Sequence, residues 1–163
     1  MSRLNRDILY LIFKELQYDK KSLHSCLLVN KLWCEIIVPI LWINPWNKLN
    51  KENKKLLLNV ILSCLSDELK NTLKNKGIHI LYQRPLFDYI SFCRHLNLNK
   101  IESTISMYNQ TEEPTIKDEI FKLFINENTN CTHLYITHRF RLQIHLERNV
   151  AFQTLNSFIV MLA

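Results

Sequence analysis

The chain has 163 residues, 47% of them hydrophobic and 22% charged, with a formal net charge of +6. This composition belongs to a globular chain rather than a disordered one, able to bury about two-thirds of the surface its unfolded form exposes without disulfide staples. Its single glycine, Gly77, excludes glycine-rich phosphate loops and nucleophile elbows and argues against a turn-rich all-β domain, so a mainly α chain is expected.

Residues 4–16, LNRDILYLIFKEL, place apolar side chains at Leu4, Ile8, Leu9, Leu11, Ile12, Phe13 and Leu16, a wide helical stripe. Asn5 stands where it can cap this helix, and Asp7 sits favourably in its first turn. QYDKK interrupts the pattern, and Asp19 or Ser22 can cap a second helix through Leu23, Cys26, Leu27 and Leu28. Asn30 can cap a third through Trp33, Ile36, Ile37 and Ile40, with Pro39 near its end. Residues 44–55, NPWNKLNKENKK, read as a polar connector into a helix carrying Leu56, Leu57, Val60, Ile61 and Leu65. SDELKNTLKNK then opens with a capping-box-like Ser66-Asp67-Glu68-Leu69 and stops before Gly77.

Beyond Gly77 a weak internal repeat emerges. CRHLNL (93–98) and CTHLYI (131–136) align as Cys-x-His-Leu-x-aliphatic, each after an apolar, helix-like stretch, LFDYISF and EIFKLFI. A helix followed by a short strand is a solenoid unit, and two such units are visible. The final Phe158-Ile159-Val160-Met161-Leu162-Ala163 is uncharged and apolar, and residues 137–163 contain neither Gly nor Pro. With no turn signal to fold it back, this end is expected to be truncated or poorly capped, less ordered than residues 4–42, and prone to self-association.

No chemical site stands out. The five cysteines are odd in number and widely spread, and the first apolar run already carries Asp7, Lys14 and Glu15, unlike a secretory signal. Reduced thiols in cytoplasm or nucleus are the expectation. Cys93 with His95 and Cys131 with His133 offer zinc-ligand chemistry, but their spacing suits side chains on one face of a strand better than a tetrahedral site. No cysteine has an activating signature. Glu112, Glu113, Asp118 and Glu119 read as helix-start or solvated acids, and HRFRLQIHLER (138–148) as an exposed strand. No catalytic residue, metal or cofactor is therefore expected. No run of 18 uncharged apolar residues is present, so no membrane span is expected. The lysines are dispersed except for Lys51, Lys54 and Lys55, so nucleic acid is not the expected partner.

The first 42 residues carry a resemblance. LNRDILYLIFKEL followed by SLHSCLLVNKLWCEIIVPILW resembles an F-box, through Leu4, Asp7, Ile8, Leu9, Ile12, Phe13, Leu16, Val29, Lys31, Trp33, Leu41 and Trp42. Asn5 stands where the family usually has proline, and Asn30 where it often has cysteine. The resemblance implies a three-helix F-box over residues 1–46. A helical linker (47–76) and a short, degenerate α/β leucine-rich-repeat-like region (77–163) would follow. It also implies a non-enzymatic receptor that binds a Skp-type adaptor and brings an unknown protein substrate to a cullin-based ubiquitin ligase. The implied adaptor contacts are Leu4, Ile8, Leu9, Ile12, Phe13, Leu16, Leu27, Val29, Leu41 and Trp42, with Trp33, Ile36 and Ile37 in the module core. The alternative is a small helical nucleic-acid-binding or other interaction module without a ligase role.

Overall fold

The structure, a computed structural model, describes residues 5–47, 49–75, 84–106, 114–125, 131–136 and 159–162. These form eight helices and three short strands. In chain order they are α1 (Arg6–Glu15), α2 (Lys20–Cys26), α3 (Lys31–Trp42), α4 (Lys51–Ser63), α5 (Asp67–Asn75), α6 (Tyr89–Phe92), β1 (His95–Asn97), α7 (Leu98–Ile105), α8 (Pro114–Phe124), β2 (His133–Ile136) and β3 (Ile159–Leu162). The mainly helical expectation holds. Leu4, Gly77, Glu112, Glu113 and the 138–148 segment lie outside the described residues.

Short polar side chains start most of these helices, because the first backbone N–H groups of a helix have no partner within it. Asp19 accepts from the Ser22 amide at 3.2 Å, Asn30 from Trp33 at 2.9 Å and Asn50 from Asn53 at 2.8 Å. The Ser66 hydroxyl accepts from the Leu69 amide at 3.4 Å, as the capping-box pattern requires. Asn5 departs from its expected role. It occupies the position before α1, but its side chain makes no capping hydrogen bond.

Two apolar clusters organise the chain. The smaller joins Leu9 and Phe13 of α1, Leu23 of α2, and Ile36, Ile37 and Ile40 of α3. The larger collects Trp46, Leu57, Leu58, Ile61, Leu62, Leu65 and Leu73 with Ile90, Cys93, Leu96, Leu98, Ile101, Ile120, Phe124 and Leu134. Helices α4 and α5, within the segment expected as a helical linker, join this larger cluster. They supply Leu57, Leu58, Ile61, Leu62 and Leu73 to it, and α4 packs against α7. Trp46, placed at the end of the first module by its sequence, is 3% exposed in that second cluster. Its Nε1–H donates to the His95 carbonyl at 2.6 Å.

All three strands run parallel in the order β1-β2-β3. β1 pairs with β2 as His95↔His133, Leu96↔Leu134 and Asn97↔Tyr135. This register reproduces the alignment of CRHLNL with CTHLYI. The amides of Thr132 and His133 both donate to the Arg94 carbonyl, at 2.7 and 3.0 Å, fixing the two units at equivalent positions.

Two expectations fail here. Residue 95 opens the strand and Leu98 already belongs to α7, so Cys93 and His95 do not share a buried strand face. The buried positions are Cys93 ahead of the strand and Leu96 within it, whereas His95 is only half-buried. The apolar C-terminal run also folds back after all. β3 pairs in parallel with β2, from His133↔Ile159 to Ile136↔Leu162, because the open strand edge satisfies its backbone groups without a local turn signal.

Candidate protein-docking surface

Helix α1 divides its stripe between two environments. Leu9 and Phe13 point inward and are 4% and 2% exposed, whereas Ile8 is 47%, Ile12 45% and Leu11 60% exposed. At about 100° per residue, Leu11 lies nearly opposite the mean direction of Leu9 and Phe13, so the apolar surface wraps the helix. One small core cannot cover all of it.

The positions assigned to an adaptor contact consequently separate. Leu4 lies outside the described residues, and Ile8, Ile12 and Val29 are exposed. Leu9 and Phe13 are core residues instead, held between α2 and α3. Leu16, Leu27 and Leu41 are partly buried against the same cluster. Trp42 turns away toward the larger core and meets Tyr89 of α6 with ring centroids 4.6 Å apart. Ile36 and Ile37 are buried in the smaller cluster, 4% and 0% exposed. Trp33 packs against that core but keeps part of its surface in solvent, and its ring meets Phe13 edge-on.

Five further exposed residues were missing from the expected set: Tyr10, Leu11, Tyr18, Leu28 and Leu32. Leu28 follows α2 in the turn before Asn30, and Leu32 lies in the first turn of α3. Leu11 was readable from the width of the stripe. Leu28 was not, since adjacent apolar residues in a short turn do not show which of them faces inward. Glu35 pairs with Arg6 at 3.5 Å and with Lys31 at 3.9 Å, tying α1 to α3 on the flank of the module.

A second constellation lies along the sheet. The rings of His95 and His133 stack with centroids 4.1 Å apart and planes 8° from parallel. His95 Nδ1 lies 3.0 Å from the Tyr135 hydroxyl, and His133 Nδ1 lies 2.8 Å from the Thr132 hydroxyl. Burial, and then a charge on His133, hold the His95 imidazole below its ordinary value because both disfavour the protonated ring. Just before the strands, the Cys131 thiol donates to the Cys93 carbonyl at 3.6 Å, and the Cys93 thiol donates to the His95 carbonyl at 3.2 Å. Among the described residues no three His, Cys, Asp or Glu side chains gather to hold a metal ion. No helix of the described residues is long and apolar enough to cross a membrane.

Comparison with protein-family models, curated proteins and solved structures finds no match to this chain.

Proposed function

We propose that the first three helices are a docking module of the F-box type that binds a Skp-type adaptor. In this reading the rest of the chain is the non-catalytic part of a substrate receptor for a cullin-based ubiquitin ligase, acting in cytoplasm or nucleus. The observation that carries the reading is the concentration of uncovered apolar surface. Of the ten large hydrophobic residues exposed among the described residues, eight lie between Ile8 and Leu32. Scattered single exposures are ordinary on a protein surface, but a cluster in one small module marks a partner site. Ile8, Leu11 and Ile12 stand at i, i+3 and i+4 on α1, the arrangement that seats an apolar helix face in a partner groove.

The resemblance in residues 4–42 supplies the identity of the partner. The pattern that runs from Leu4 to Trp42 includes core positions such as Leu9, Phe13 and Trp33, which explains why it is wider than the exposed face. The parallel strands and their helices, which form most of the larger core, would be the repeat-like portion that meets the substrate. Size-exclusion chromatography of the full chain mixed with recombinant Skp-type adaptor tests the reading. Co-elution as one stoichiometric complex is expected, and separate elution at micromolar concentration would reject it.

A further inference from the structure

We propose that Cys131 and Cys93 are a redox pair which a peroxide oxidises to an intramolecular disulfide, stapling the β1 and β2 units together. The two residues hold the same position in two repeat units, 38 residues apart in the chain. Their strands are hydrogen-bonded immediately downstream, where Thr132 and His133 both donate to the Arg94 carbonyl. Neighbouring strands lie about 4.8 Å apart, inside the range of Cα separations that a disulfide bridges. The Cys131 thiol already donates to the Cys93 carbonyl at 3.6 Å, so its sulfur lies against the residue it would bond.

The pair is asymmetric in a way that assigns the roles. Cys93 is fully buried in the larger core, and Cys131 is half-buried at its margin. Cys131, at the margin of the core, is the thiol that peroxide can reach, and the Arg94 side chain follows Cys93 beside it. Cys93 is sealed in the core, and its thiol donates to the His95 carbonyl at 3.2 Å. Cys131 is thus the attacking thiolate and Cys93 the resolving thiol.

In the first step the Cys131 sulfur attacks hydrogen peroxide. An S–O bond forms, the O–O bond breaks, and the departing hydroxide takes up a proton to become water, leaving a sulfenic acid. In the second, the Cys93 sulfur attacks the sulfenic sulfur. The S–S bond forms, the S–O bond breaks, and the hydroxide leaves with the Cys93 proton as a second water. Two thiols are oxidised by two electrons and one peroxide is reduced. A dithiol reductant reverses the change by exchange. The bond would close the loop that contains α7 and α8, restricting the unfolded chain and raising the melting temperature by roughly 5–15 °C.

The test treats the full chain with a small excess of hydrogen peroxide, blocks the remaining thiols with an alkylating reagent, and maps the peptides by mass spectrometry. A Cys93–Cys131 linked peptide is expected, with Cys26, Cys34 and Cys64 alkylated. Dithiothreitol should abolish the link, and the melting temperature should rise in wild type but not in Cys131→Ser. That substitution lies at a half-buried position, and circular dichroism checks that it folds. Cys131 over-oxidised with Cys93 still alkylated, a link between any other pair, or five free thiols would each overturn the proposal.

Discussion

The ring of Phe13 meets that of Trp33 edge-on, with centroids 5.0 Å apart and planes at 66°. The contact joins α1 to α3 at the margin of the smaller core, where Phe13 is 2% exposed and Trp33 closes over it. Phe13→Ala should cost about 3–5 kcal/mol, because it removes a buried ring from a core with few other members. A double-mutant cycle with Trp33→Ala should give a coupling of about 0.5–1.5 kcal/mol from the ring pair itself. Denaturant titrations measure both. Strict additivity of the two losses would show that the rings do not interact.

The two asparagines that precede α1 and α3 should behave differently. Asn30 accepts a hydrogen bond from the Trp33 amide, and Asn5 makes no such bond. Asn30→Ala should therefore lower stability by about 1 kcal/mol, while Asn5→Ala should change it by only a few tenths. Equal losses in urea unfolding would contradict the difference in capping.

Trp46 links the chain after α3 to the start of the sheet through its 2.6 Å hydrogen bond to the His95 carbonyl. Trp46→Phe keeps most of the ring in the larger core but deletes the donor. The expected cost is about 1 kcal/mol, since the part-buried carbonyl keeps only the weaker Cys93 thiol as a donor at 3.2 Å. A melting temperature equal to that of wild type would show that this bond contributes nothing.

The stacked histidines make stability depend on pH. His95 is held below the value of 6.5 that it has when unfolded, first by burial and then by charge on His133. As pH falls below about 6.5 the unfolded ring takes up a proton before the folded one does. The unfolded state then binds more protons, and stability declines until the folded ring itself titrates. Melting temperature should fall between about pH 7 and pH 5, and His95→Asn should make that fall shallower. Parallel profiles for the two proteins would remove His95 as a cause.

Sequence reading was strongest where local pattern decides structure. The caps at Asp19, Asn30 and Ser66 follow from short-range hydrogen bonding. The register of β1 on β2 follows from two six-residue motifs that occupy equivalent places in successive units. It was weakest where tertiary packing decides. Helices α4 and α5 looked like a linker because Lys51, Lys54 and Lys55 dominate the composition there, yet one side of them is covered by distant residues such as Ile101 and Phe124. The pairing of Ile159–Leu162 with β2 depends on an available strand edge, which no local signal announces. At the docking surface, the residues that share a helix were visible, but their division between core and solvent was not. Leu9 and Phe13 went inward because α2 and α3 close over one side of α1, leaving Ile8, Leu11 and Ile12 outside.

That division selects the variant which separates binding from folding. Replacing Leu9 would disturb the smaller core, whereas Ile8→Ala, Leu11→Ala and Ile12→Ala combined alter only exposed positions on α1. Titration calorimetry of the full chain against recombinant Skp-type adaptor is the most direct measurement. Wild type should bind, and the triple variant should bind at least about 100-fold more weakly, a loss of about 2.7 kcal/mol, with an unchanged circular dichroism spectrum. Absence of binding by the wild-type chain, or equal affinity for the triple variant, would contradict docking of the adaptor on the exposed face of α1.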